Sequence, residues 1–352
     1  MMKYYQIILL SLSFCSCIDK NKTYFHGDVV EIDFQEELFL KSRKVEINDI
    51  YAGSPVLCDS FLLFCSSKYP EHYVSAFNVI TWEKAGNLFL KGDGPDAYIN
   101  NINICNIYKG NNQKDSRIWI YDNLKSYRLI NLTRSFKTGK TEVDSIIRYE
   151  FWKHYKFPFI NTHISSKGII CGIQSMEIYN NREYEPKHYL CFNSSFDEPD
   201  REFPLYDYVP FDNKNPQIGM GDHCDSYDVI HPSGDKVALA MCMAGHINIL
   251  DLKTGVSTGY HIKGTPALSE VSTQKEYTAY FTDIDCNENH IYALTADGKK
   301  ERYPALSNII LVLDWDGNPI KRIMLDKEIQ EFTLGDNIIY AMSGDDLYEY
   351  KL

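Results

Sequence analysis

The run VIHPSGDKVALAMCMAGHINILDLKTG at residues 229–255 constrains the fold of this chain more than any other stretch. Its HPSGD segment at 231–235 is a tight turn, because proline presets φ and glycine supplies positive φ. Residues 237–241 carry no polar side chain, as expected of a strand buried on both faces. Ala244 and Gly245 turn the chain again, and 246–249 alternate polar and apolar, which suits a half-buried strand. Residues 251–255 close the unit with an Asp-initiated, Gly-terminated turn.

The unit recurs. IYALT at 291–295 and IYAMS at 339–343 are near copies, and IWIY at 118–121 and IICG at 169–172 look like the same strand earlier in the chain. ILVLD at 310–314 with the WDG turn at 315–317 repeats the strand end ILD at 249–251. Successive copies lie about 50 residues apart, which suits four-stranded propeller blades. Six units result: 46–94, 95–150, 157–208, 222–264, 275–326 and 327–352. The last holds only three strands, at 329–334, 337–343 and 346–351. Residues 29–45 have no blade of their own. Within them Val30, Ile32 and Phe34 alternate with Glu31 and Asp33, giving a strand with one face to bury. The expectation is therefore an all-β, six-bladed propeller of four antiparallel strands per blade, closed by strand 29–34 in the last blade. Closure matters because an open ring exposes two sheet edges.

No amphipathic helix emerges; residues 143–154 read as a strand with its connecting loop. Residues 208–224, rich in Pro, Gly, Asn and Asp, read as an extended loop. The 26 Tyr and 18 Phe favour strands. The net charge of −12, with no long basic run, argues against nucleic acid or an anionic membrane surface as a partner.

The N-terminus reads as a targeting segment. Lys3 precedes an apolar run at 4–14 that is too short to span a bilayer. FCSC at 14–17 resembles a bacterial lipobox, in which a small residue precedes the lipid-bearing cysteine; Ser16 before Cys17 fits, while Phe14 stands where Leu is commonest. The expectation is a signal peptide at 1–16, lipid attachment at Cys17, a tether at 17–27 and the propeller at 28–352. That places the protein in the cell envelope, held to a membrane, expected to be the outer one, by its lipid. An ordinary cleaved secretory peptide is the competing reading.

GDGPD at 92–96 follows the strand LFL at 88–90, and LTADG, LVLDWDGNPIKRIMLD and IIYAMSG follow one another from 294 to 344. These runs resemble the TolB-like six-bladed propeller lipoproteins of Gram-negative bacteria. The resemblance implies architecture and carries no activity that transfers residue by residue. Physically, Gly92 and Gly94 permit positive φ and Pro95 stiffens the exit. A phosphate cradle would need a helix after the glycines, whereas 100–107 alternate like a strand.

The densest set of potential ligands is Asp222, His223, Cys224 and Asp225, with His231 nearby. Adjacent residues on a strand face opposite ways, so at most two of the four converge, and a polar entrance to an innermost strand accounts for them without metal. Asp283, Asp285, Asn287 and Asn289 share one parity, but Glu288 and Leu294 stand where a calcium loop needs glycine and a bidentate acid. These residues either line the channel or its mouth or form a solvated strand end. Neither a metal nor a cofactor is expected. Apart from Cys15 and Cys17 the chain has eight cysteines and no C-x-x-C pair; most sit in apolar strands, where Cys acts as a small buried hydrophobe, and a bridge between Cys171 and Cys191 on neighbouring strands is the alternative for that pair.

Two functions fit. One is a binding or scaffold module for a protein, peptide or glycan, with His223, Asp225, Asp283 and Asp285 as the residues to test at the channel mouth. The alternative is a propeller hydrolase, lactonase or lyase, which must bring polar groups from at least three innermost strands together. No G-x-S-x-G elbow is present.

Overall fold

The chain is an all-β propeller. The computed structural model describes residues 25–49, 51–93, 97–98, 102–108, 115–122, 126–148, 161–165, 168–173, 188–192, 199–206, 225–271, 274, 276–300 and 305–352. Three short strands come first: β1 (Asp28–Ile32), β2 (Glu37–Leu40) and β3 (Arg43–Lys44). Sheet one is β4 (Ser54–Cys58), β5 (Phe61–Cys65), β6 (His72–Asn78) and β7 (Lys84–Leu90). Sheet two is β8 (Ile102–Tyr108), β9 (Arg117–Asp122), β10 (Ser126–Asn131) and β11 (Val143–Arg148); sheet three is β12 (Asn161–Ser165), β13 (Gly168–Ile173), β14 (His188–Phe192) and β15 (Arg201–Pro204). Sheet four holds β16 (Ser226–Ile230), β17 (Lys236–Met241), β18 (His246–Asp251) and β19 (Ser257–Ile262). Sheet five holds β20 (Ala279–Cys286), β21 (His290–Lys299), β22 (Ser307–Asp314) and β23 (Pro319–Ile329); sheet six holds β24 (Glu331–Gly335), β25 (Ile338–Ser343) and β26 (Asp346–Lys351).

The repeated sequence runs fall on equivalent strands. Residues 118–121, 169–172, 237–241, 291–295 and 339–343 all lie on the second strand of their sheets. The turn from third to fourth strand repeats as well. Asp251 Oδ1 accepts the N–H groups of Lys253 and Thr254 (2.9 and 2.8 Å), and Asp314 Oδ1 accepts those of Asp316 and Asn318 (2.9 and 2.8 Å). Asn78 Oδ1 does the same for Ile80 and Thr81 in sheet one. A short side-chain acceptor at the strand end closes each reversal.

The core lies between sheets. Apolar clusters join sheet one to two (Leu63, Ile118), three to four (Tyr189, Leu239), four to five (Ile247, Ile291) and five to six (Leu294, Ile339). Another joins six to one through Val45, Phe64 and Leu347. Between sheets two and three, Tyr127 Oη and Thr162 Oγ1 lie 3.1 Å apart.

The N-terminal strands depart from expectation. Residues 29–34 do not enter the last sheet: β1 pairs parallel to β19 on the outer edge of sheet four, and β2 pairs parallel to β23 on sheet five. Those two sheets therefore have five strands, not four antiparallel ones. The strand on the outer edge of sheet six is β3, antiparallel to β26, followed by a Val45 N–H bond to Leu347 O (2.9 Å). The alternation in 29–34 identified a strand but not its partner. Ile32 and Phe34 bury their face between sheets four and five, while Val30 stays 46% exposed. Phe25, within the expected tether, is already packed: it is buried, bridges Tyr206 and meets that ring edge-on at 6.0 Å.

A seven-residue helix, α1 (Leu132–Thr138), was not foreseen. Asn131 Oδ1 caps it by accepting Arg134 N–H (2.9 Å), and Gly139 ends it at φ 69°. It is too short to show an apolar period in sequence. Residues 143–148 form a strand as expected; the GPD part of the 92–96 turn, Cys17 and the whole 208–224 loop lie outside the described residues.

Candidate functional site in the central channel

Six strands, β4, β8, β12, β16, β20 and β24, one from each sheet, enclose a cavity of about 470 Å³. This is the propeller channel, and its size suits a small ligand or the end of a larger one.

Asp283 and Asp285 line it, while Asn287 and Asn289, which share their parity, lie past the end of β20 with Asn289 exposed to solvent. The two aspartate side chains also join two sheets. Asp283 Oδ2 accepts Phe332 N–H (2.8 Å) and Oδ1 accepts Ile284 N–H (2.9 Å). Asp285 Oδ2 accepts Leu334 N–H (2.8 Å) and Thr333 Oγ1–H (3.2 Å), and its Oδ1 accepts Cys286 N–H (2.7 Å). Burial, with added repulsion from Glu331 and Asp285, holds the Asp283 carboxyl well above the usual carboxylate range despite those N–H bonds. Asp225 stands just ahead of β16 and is not among the lining residues; its carbonyl accepts Cys242 N–H (2.8 Å). His223 lies outside the described residues.

The channel contains a pair that sequence reasoning missed. His163 on β12 and Asp228 on β16 face each other across the gap between sheets three and four, with Nε2 and Oδ2 3.5 Å apart. Their side chains are 8% and 4% exposed. Tyr189 donates its hydroxyl hydrogen to Asp228 Oδ2. Neither ring nitrogen of His163 has a hydrogen-bond partner, and Thr282 Oγ1 on β20, also buried and lining the channel, has none. The signal in sequence was faint: His163 sits among other polar residues in NTHIS and Asp228 in SYDVI, and nothing local singles either out. Only the position of each strand in its sheet places the residue at the channel.

Among the described residues no group of three or more His, Cys, Asp or Glu side chains is placed to hold a metal ion. His231 also lines the channel, but both its ring nitrogens are engaged: Nδ1 lies 2.7 Å from Ser233 Oγ and Nε2 lies 3.1 Å from Glu288 O. Cys191 pairs with Ile170, one step away from Cys171, and its thiol is free, so the proposed bridge does not form.

The fold has solved counterparts. An exported protein from Bacteroides fragilis NCTC 9343 is 13% identical, with a TM-score of 0.54 over 92% of this chain and 99% of that one. A member of the DUF4221 family from Bacteroides vulgatus ATCC 8482 is 11% identical, with a TM-score of 0.56 over 89% and 95%. At these identities the likeness is one of fold. No curated protein matches the chain. The model of the TolB-like 6-blade propeller-like family matches residues 33–337, nearly all of the propeller just described, and the chain belongs to that family.

Proposed function

We propose that this protein is an exported, lipid-anchored binding propeller of the cell envelope, a closed six-bladed ring whose central channel receives a peptide, a glycan or a segment of another envelope protein. The reading rests above all on the channel: one strand from every sheet lines it, and two residues of its wall, His163 and Thr282, carry buried polar atoms with unused hydrogen-bonding capacity. Such groups cost stability unless a partner satisfies them, so they mark a place built for one. The six sheets, the packing of sheet six on sheet one and the edge position of β3 support ring closure. The Bacteroides fragilis counterpart is described as exported, which agrees with a signal segment; the lipid site at Cys17 and the outer membrane rest on the sequence around FCSC alone.

The test has two parts. Cys17→Ala should move the protein from the membrane to the soluble fraction; retention in the membrane would overturn the anchor. Peptide and glycan panels should raise the melting temperature of the wild type but not of Ile164→Trp, in which an indole fills the channel. A ligand held equally by both would place binding elsewhere. The His163–Asp228 pair also favours a second reading, a hydrolase with His163 as general base oriented by Asp228. Ester or lactone turnover by the wild type, lost in His163→Gln, would establish it.

A further inference from the structure

We propose that the channel binds an alkylammonium group, free or carried on a lysine side chain, seated between Asp228 and His163. This rests on the channel being a ligand site and names the chemistry that site selects. Charge is the first argument. Asp228, Asp285 and Glu331 line the cavity beside Asp283, whose raised carboxyl is left out of the charge count, and among the described residues no Lys or Arg does. A chain of net charge −12 adds to that field. Phosphates, sulfates and carboxylates would enter without a countercharge.

Hydrogen-bond inventory is the second. Asp283 and Asp285 already accept backbone N–H groups with both oxygens, so they are held in place and have little left to offer a ligand. Asp228 and His163 differ. The carboxylate accepts from the Tyr189 hydroxyl, and the imidazole nitrogens have no hydrogen-bond partner. A carboxylate only accepts, and neutral imidazole accepts at one nitrogen. The group that satisfies both while neutralising charge is a donor-only cation, and an ammonium brings three donors. Its hydrogens can be shared among Asp228, His163 and Thr282 Oγ1, which come from three neighbouring innermost strands. A single hydroxyl brings one donor and no charge.

Shape is the third. Val56, Ile104, Ile107, Ile164 and Ile284 supply apolar wall, which suits a methylene chain rather than a fully hydroxylated one. A cavity of about 470 Å³ has room for a small amine or one long side chain, not for a folded partner.

The experiment titrates purified protein with n-pentylamine, 1-pentanol and pentanoate at pH 7, following heat release and melting temperature. Pentylamine should bind at one site, at least about tenfold more tightly than the alcohol, since a charge-assisted hydrogen bond separates them. Pentanoate should not bind. Asp228→Asn and His163→Gln should each weaken pentylamine and erase its advantage over pentanol; should Asp228→Asn fail to fold, His163→Gln carries the test alone. An acetylated Gly-Lys-Gly amide run against its norleucine analogue identifies the source. Preference for the lysine peptide over pentylamine assigns a lysine side chain, and the reverse assigns a free amine. Equal binding of pentylamine and pentanol by the wild type, or amine binding unchanged in both variants, would overturn the proposal. If glycans or uncharged peptides then still bind the wild type and not Ile164→Trp, the channel remains a binding site with a different specificity.

Discussion

Asp285 of the fifth sheet accepts the backbone N–H of Leu334 in the sixth at 2.8 Å, and Asp283 does the same for Phe332 two residues away. Two carboxylates on one strand thus replace the strand partner that an innermost strand lacks on its channel side. Asp285→Ala leaves the Leu334 amide and the Thr333 hydroxyl without an acceptor and should cost about 1–3 kcal/mol for each group stranded. Urea unfolding at neutral pH measures this; a loss under about 0.5 kcal/mol, the range of an ordinary surface change, would show that water replaces the staple.

The Asp283 carboxyl titrates well above the usual range because it is buried, so the folded state holds its proton more tightly than the unfolded chain does. The contribution of that proton is fully present below the unfolded carboxylate value near 4 and is lost as pH rises through the raised folded value. Asp283→Asn, which cannot ionise, should flatten the fall in stability over that window. Denaturation midpoints from pH 4 upward, wild type against variant, decide it; parallel curves would refute the assignment.

His246 has the opposite sign. It stacks on His261 at 4.8 Å, and burial first, then the neighbouring imidazole, pushes it down to about 3. The neutral ring contributes stability that is present above the unfolded value near 6.5 and disappears as pH falls toward 3. His246→Gln should remove part of the acid sensitivity between those limits, read as a shallower decline of melting temperature with falling pH.

Gly317 sits at φ +83°, and a Cβ there would lie 1.8 Å from Tyr260 Cζ. Gly317→Ala should therefore destabilise by several kcal/mol, combining overpacking with the left-handed backbone penalty. In a Tyr260→Ala background only the backbone part, about 1–2 kcal/mol, should remain. Additive losses in the double mutant would exclude the clash.

The packing of sheet six on sheet one predicts a contrast within the N-terminal segment. Val45 is 3% exposed between sheets six and one, so Val45→Ala should lower the single unfolding transition of the entire protein by about 1–3 kcal/mol. Val30, 46% exposed on the outer edge of sheet four, should tolerate Asn within about 0.5 kcal/mol. Calorimetry distinguishes a shifted transition from a separate early one.

Much of this fold could be read in advance because a propeller repeats itself. Buried second strands such as 237–241 and 291–295 leave an uninterrupted apolar mark, and Asp251 and Asp314 punctuate equivalent turns. What was lost was relational. The alternation at 30, 32 and 34 shows that a strand exists, but its parallel partner β19 lies more than 220 positions away and leaves no trace in a local pattern. The channel pair was hidden for a similar reason. His163 and Asp228 belong to different sheets and become neighbours only when those sheets pack. Asp283 and Asp285 were visible as a spaced pair of acids, but their bonding to Phe332 and Leu334 was not.

The path of the N-terminal segment also sets how the protein bears a load. From Phe25 the chain runs along the outer edge of sheet four as β1, sheet five as β2 and sheet six as β3 before it enters sheet one. A pull from the amino end therefore meets the circumference rather than the channel. It reaches β1 before β2, and β2 before the two-residue pairing of β3 with β26. Tension would be spent stripping an outer wrapping, strand by strand, before it touched the joint between the last sheet and the first.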